Sequence, residues 1–225
     1  MSAAGTTLYL GGGGSADDER ALWSEFVEPG ARIVLWPFAV PRSGHDRVRL
    51  WLAQSLEPWD GVRLSTWTDL AERRPAELAD VDVLFVAGGN TFDLLDHVQR
   101  TGWLAPTREH VLAGGAYYGG SAGAVLAGAD IDVASFADPN DAGVTDTRGL
   151  DLLGGAIVRP HATPHDIDEC ASWSARTGRP VLALPERGGL VVRDGVGRSV
   201  GPDDAYAVTG DGLLMLPPDA TVDLR

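Results

Sequence analysis

A serine hydroxyl attacks carbonyls only when the chain presents it on a tight turn beside a base. Gly119-Gly120-Ser121-Ala122-Gly123 has the residues for such a turn. The pentapeptide fits G-x-S-x-G, follows a short run of small and apolar residues and precedes a helical stretch. Gly120, Ala122 and Gly123 meet the demand for small flanking side chains. A serine at a helix start also faces backbone N–H groups that favour a developing anion. The same composition describes a Gly/Ala-rich turn kept small for packing, so the pentapeptide alone leaves both readings open.

Three other positions match what a serine nucleophile needs. Ala87-Gly88-Gly89-Asn90-Thr91-Phe92 lies between a buried strand and a helix. The N–H groups of Gly88 and Gly89 can join that of Ala122 in an oxyanion hole, and Asn90 or Thr91 can cap the helix. Of the histidines His45, His97, His110, His161 and His165, the base is expected to be His161. It directly ends a strand in Arg159-Pro160-His161, where active sites of open α/β sheets gather. The orienting acid is Glu186, in Leu184-Pro185-Glu186, or its rival Asp138, in Phe136-Ala137-Asp138-Pro139. Asn90, Thr91 and His165 are the neighbouring side chains where substrate contacts are expected.

Two weaker patterns point elsewhere. Gly11-Gly12-Gly13-Gly14-Ser15-Ala16 formally satisfies a dinucleotide fingerprint, but the second strand ends in Trp36-Pro37-Phe38 without the acid expected for a ribose. A flexible rim loop is the better reading. His161, His165, Asp166, Asp168, Glu169 and Cys170 cluster in sequence without a familiar zinc spacing, so no metal and no cofactor are expected.

These residues need a scaffold, and the apolar runs supply one. Strands are expected over residues 7–10, 32–38, 62–67, 81–86, 116–119, 156–158 and 181–184, and helices over 17–27, 47–56, 91–99, 121–128 and 167–176. Beyond Gly188, Asp194-Gly195 and Asp211-Gly212 mark hairpins. Alternating strands and helices imply an α/β fold: a mostly parallel sheet covered on both faces, with an antiparallel C-terminal edge, in one domain.

The 225 residues carry a net charge of −14, which repels phosphate backbones and argues against nucleic-acid binding. No apolar stretch reaches eighteen residues, the first five residues do not read as a secretion signal, and the single cysteine excludes an internal disulfide. A cytoplasmic protein with no membrane partner is expected, as monomer or homodimer.

Taken together, Gly-Gly-Asn-Thr-Phe at 88–92, Tyr118-Gly119-Gly120-Ser121-Ala122-Gly123-Ala124, Arg159-Pro160-His161 and Leu184-Pro185-Glu186 resemble the peptidase E family. That family includes aspartyl dipeptidase and is related to cyanophycinase. The resemblance covers most of the chain and implies a class I glutamine amidotransferase-like fold, a three-layer sandwich. It implies Ser121 as nucleophile, His161 as base, Gly89 and Ala122 as oxyanion donors, and Glu186 rather than Asp138 as third member. A short-peptide substrate follows, in the family's case an N-terminal Asp-X dipeptide. Here the segment between His161 and Leu184 is shorter than in aspartyl dipeptidase and begins with His165-Asp166-Ile167-Asp168-Glu169, an acidic lip unsuited to an Asp side chain. The rival readings are an esterase or amidase acting on a modified amino acid or peptide natural product, and a non-catalytic ligand-binding member of the fold.

Overall fold

In a computed structural model that describes residues 5–225, the alternation of strands and helices closes around a large sheet. Residues 1–4, part of the stretch read as carrying no secretion signal, lie outside the described residues. Five parallel strands form the centre: β1 (Thr7–Gly11), β2 (Arg32–Trp36), β3 (Arg63–Thr66), β4 (Val83–Val86) and β5 (Ala116–Gly120). β1, β2, β4 and β5 are buried along nearly their whole length, as near-continuous apolar runs require when helices cover both faces.

The two-residue period of a strand divides these runs between two cores. Leu8, Leu10, Val34, Trp36, Leu84, Val86 and Tyr117 face one way, onto α3 (Thr91–Arg100), α4 (Leu104–Leu112) and α5 (Ala122–Ala127). Tyr9, Ile33, Leu35, Val83, Phe85 and Tyr118 face the other, onto α1 (Arg20–Trp23) and α2 (His45–Ser55). The expected helix over 17–27 contracts to α1, with turns on either side. Ser15 and Asp18 bond each other's side chains and backbone, offering the chain an alternative to helical pairing.

The C-terminal part departs from a single antiparallel edge. The hairpin β8 (Gly189–Arg193) and β9 (Val196–Val200) extends the main sheet beside β1, and β12 (Thr221–Asp223) pairs with β9. Asp194 and Gly195 both have positive φ, as a two-residue turn of the mirror type demands. The second hairpin, β10 (Ala205–Thr209) and β11 (Gly212–Leu216), joins β6 (Ile157–Arg159) and β7 (Val181–Ala183) in a separate four-stranded sheet. α6 (Ile167–Thr177) connects β6 to β7 and ends at Gly178, which adopts the left-handed conformation.

Register decides which loops meet. Gly11 of β1 pairs with Gly120 of β5, and Val86 of β4 with Gly119, so the chain leaves all three strands at one edge. In the smaller sheet Arg159 pairs with Ala183, so the segments reaching His161 and Glu186 also leave side by side. The two sheets are tied where the His161 N–H donates to Gly12 O at 2.8 Å, and Gly12 is itself held to the main sheet by its N–H to Gly188 O at 3.2 Å.

Toward the β2–β3 side of the sheet, Trp103 packs edge-on against Trp36 and Trp67, and its buried indole N–H donates to Leu70 O at 2.9 Å. Trp103→Phe removes the indole's hydrogen bond, leaving Leu70 O with the Arg73 N–H at 3.1 Å, and opens a small void. The expected loss is about 1–2 kcal/mol, read from the urea midpoint.

Candidate active site

Ser121 stands between β5 and α5 with φ 50° and ψ −109°, a conformation that costs a non-glycine residue energy and is the signature of a sharp strand-to-helix turn. The helix begins at Ala122 rather than at Ser121. The turn is possible because its neighbours lack bulk: a methyl at Gly119 would come within 2.4 Å of the Gly123 carbonyl, and one at Gly123 within 2.4 Å of Val86 O. The buried Tyr117 hydroxyl donates to Gly123 O at 2.7 Å and holds the turn from beneath.

His161 also has positive φ, at 53°. Its Nε2 lies 2.9 Å from Ser121 Oγ and its Nδ1 2.8 Å from Glu186 Oε1. With the proton on Nδ1 donated to Glu186, Nε2 is free to accept from the serine. The pair lies open to water, the Glu186 side chain being 60% exposed. Asp138 sits elsewhere: its Oδ2 accepts the Thr91 N–H at 2.8 Å, at the start of α3. The sequence treats the two acids as rivals for one position, whereas the fold gives them different partners.

Gly88 packs against Ser121, since a methyl there would approach Ser121 Cβ to 3.1 Å. Gly89 has φ 141°, open to glycine, and lies against Ala39. Among the described residues the N–H groups of Gly88, Gly89 and Ala122 make no hydrogen bond within the chain, which leaves them available to an oxyanion. A cavity of about 380 Å³ opens beside Ser121 and His161. Its walls include Val125, Val133, Phe136 and Pro160, with Thr91 and Asp138 as polar members.

The model of peptidase family S51 matches residues 8–199. The chain belongs to that family. Peptidase E of Citrobacter koseri is 34% identical over 144 residues, which cover 58% of this chain and 60% of the relative. An uncharacterized peptidase of Pasteurella multocida is 35% identical over 127 residues, covering 56% and 60%. The match thus spans about 60% of the length of these two relatives. Two solved structures share the fold: a peptidase from an acI-B1 actinobacterium, with a TM-score of 0.70 at 17% identity over 98% of both chains, and a candidate peptidase E from Listeria monocytogenes EGD-e, with 0.68 at 22% over 95% of this chain and 99% of that one.

In this S51 chain the remaining sequence candidates separate. Thr91 lines the cavity, but Asn90 caps α3 by accepting the Asp93 N–H at 3.0 Å and holds Pro139 O through its amide. His165 lies on an exposed turn outside the cavity wall. The sequence cluster of possible metal ligands is dispersed. Asp166 and Glu169 pair with Arg159, whose guanidinium also stacks 3.7 Å from the Phe136 ring, and burial pushes the Cys170 thiol up to about 11. Among the described residues no group of three or more His, Cys, Asp or Glu side chains is arranged to hold a metal ion.

The glycine run read as a flexible rim loop is instead wedged into the site. Gly13, at φ 96°, has no room for a side chain: a methyl there would lie 2.4 Å from His161 Cε1 and 2.8 Å from Ser121 Cβ. At Gly12 and Gly14 a methyl would strike the Pro185 and Glu186 carbonyls. Sequence reasoning missed this role. The only signal in the sequence was four consecutive glycines, more than a turn needs.

Proposed function

We propose that this chain is a serine peptidase of short peptides, a dipeptidase in its simplest form, working through Ser121, His161 and Glu186. The observation that carries the reading is the continuous relay from Ser121 Oγ through the imidazole to Glu186, with spans of 2.9 and 2.8 Å. His161 Nε2 takes the hydroxyl proton as Ser121 Oγ attacks the peptide carbonyl carbon. The N–H groups of Gly89 and Ala122, with Gly88 beside them, receive the oxyanion. The tetrahedral adduct collapses to a seryl ester, and the leaving amine departs with the proton held by His161. Water then attacks the ester, giving its proton to the same nitrogen and releasing the acid.

The cavity bears on which peptides. Among the described residues, its one ionisable wall residue apart from His161 is Asp138, and no Lys or Arg lines it. The surroundings are acidic as well. Burial, reinforced by Asp141, Asp96 and Asp138, raises the Asp93 carboxyl above its ordinary value. Arg159, the nearby cation, is committed to Asp166 and Glu169. Two facing carboxylates 4 Å apart repel by about 1–4 kcal/mol, depending on how much water lies between them. Apolar walls and one carboxylate suit a neutral apolar residue with a free α-ammonium better than an N-terminal Asp.

A dipeptide panel tests this, comparing Asp-X with Leu-X, Ala-X and Lys-X for wild type and Ser121→Ala. Cleavage of neutral dipeptides at least about tenfold better than Asp-X is expected, with all of it lost in the variant. Absence of cleavage of any dipeptide by the folded wild type would overturn the dipeptidase reading. Efficient Asp-X cleavage would overturn the substrate preference alone.

A further inference from the structure

Glu19 is a carboxylate almost fully enclosed by protein, 1% exposed, outside the proposed triad. Burying a carboxylate is unfavourable unless donors surround it. Three do: the Gly13 N–H at 2.8 Å to Oε1, the Tyr118 hydroxyl at 2.5 Å to Oε2, and the Trp23 indole N–H at 3.2 Å to the same oxygen. Tyr118 and Trp23 are rigid anchors, packed on Phe85 and on each other in the core beneath α1. Gly13 is the partner outside that core, and it is the residue seated against His161 and Ser121.

The segment that Glu19 grips carries more than Gly13. Gly11 O accepts the Ser121 N–H at 3.2 Å, and Gly12 O accepts the His161 N–H at 2.8 Å. The two reacting residues are both non-glycine residues at positive φ, and each is held in that conformation by a carbonyl of the same three-residue strip. Such conformations persist only where the surroundings over-determine them. Gly11 is fixed by its place in β1 and Gly12 by its bond to Gly188 O, but Gly13 lies beyond both, and without Glu19 His161 loses the fixed surface against its ring.

We propose that Glu19 is a positioning residue: it pins Gly13, the end of the Gly11-Gly12-Gly13 strip wedged against His161 and Ser121, and so sets the Ser121–His161 distance. The inference rests on the serine-peptidase reading of that pair. Glu19 does not touch the substrate. Its effect is on acylation rate, not on substrate affinity, because a displacement of about 1 Å between nucleophile and base costs on the order of 100-fold in rate.

The test measures the rate at which a fluorophosphonate probe modifies Ser121, together with dipeptide kcat and KM and amide hydrogen exchange at residues 11–13. Glu19→Ala is expected to be modified about 100-fold more slowly, with kcat reduced to match and KM within about twofold. Glu19→Gln, whose amide oxygen still accepts from Gly13, stays within about fivefold of wild type. Trp103→Phe, which also loses a buried hydrogen bond but does not line the cavity, is destabilised without loss of rate. Modification of Glu19→Ala at the wild-type rate overturns the inference. A loss no greater than in Trp103→Phe at equal thermal midpoint overturns it as well. Should the alanine variant fail to fold, Glu19→Asp withdraws the carboxylate by one methylene, and a wild-type rate there is equally fatal. A wild type whose Ser121 ignores the probe would strike the peptidase reading itself. Protection of the Gly13 amide in wild type and its loss in Glu19→Asp would still report whether the pin exists.

Discussion

Ser121→Ala is expected to reduce kcat/KM on any cleaved dipeptide by about 10⁴-fold or more, because no other group can form the seryl ester. Fold and thermal midpoint should be nearly unchanged. The hydroxyl makes one hydrogen bond, to a half-exposed imidazole, and its removal relieves no core contact. His161→Ala should lose nearly as much, and the double variant scarcely more than either, since residues that act as one unit are not additive. Additive losses in the double variant would mean that serine and histidine work in separate steps, and the relay would have to be abandoned. Activity surviving Ser121→Ala would remove the nucleophile assignment outright.

The second large effect separates the two acids. Glu186→Gln keeps the side chain's size but takes the negative charge away from the Nδ1 side of His161, 2.8 Å distant. A buried orienting carboxylate is worth up to about 10⁴ in kcat, but Glu186 is open to water that partly replaces it, so the expected loss is about 10–100-fold. Asp138→Asn should behave differently. An amide oxygen can still accept the Thr91 N–H, and the residue is not hydrogen-bonded to the imidazole, so kcat should stay within about threefold. The change should surface in substrate choice: neutralising the one carboxylate of the apolar cavity should raise KM for peptides with a free α-ammonium and improve Asp-X relative to Leu-X. If Asp138→Asn lost kcat while Glu186→Gln did not, the third member would be Asp138, and its observed tie to Thr91 would have to break during the reaction.

The chain's strands and most of its helices are legible in the sequence because their signals are local. An apolar run such as Arg32–Trp36 can be buried only as a central strand, and Asn90 caps a helix through its own neighbour's N–H. Ser121 is legible for the same reason, since only glycine and alanine can flank so tight a turn. The expected helix over residues 17–27 shortens to α1 because its sequence is helical in composition while its side chains are spent on the loop before it. No rule of spacing buries Glu19 beneath the glycine strip, because its Tyr118 anchor comes within reach only when β1 and β5 lie side by side.

What the sequence determined by itself was the set of strand ends and turn chemistries: a tight serine turn, two glycines after β4, a histidine after β6 and an acid after β7. Tertiary structure decided which of these face one another. The parallel register of β1, β4 and β5 gathers three loops at one edge, and the pairing of β6 with β7 brings a second sheet's loops to meet them. That choice gives Glu186 to the histidine and Asp138 to a helix start, although both are loop carboxylates in sequence. It also turns a glycine run that reads as slack into the most tightly packed part of the site. The physical reason is range. Propensity and capping act over a few residues, while a hydrogen-bonded relay joins positions 40 and 25 residues apart, and only the packing of two sheets fixes those distances.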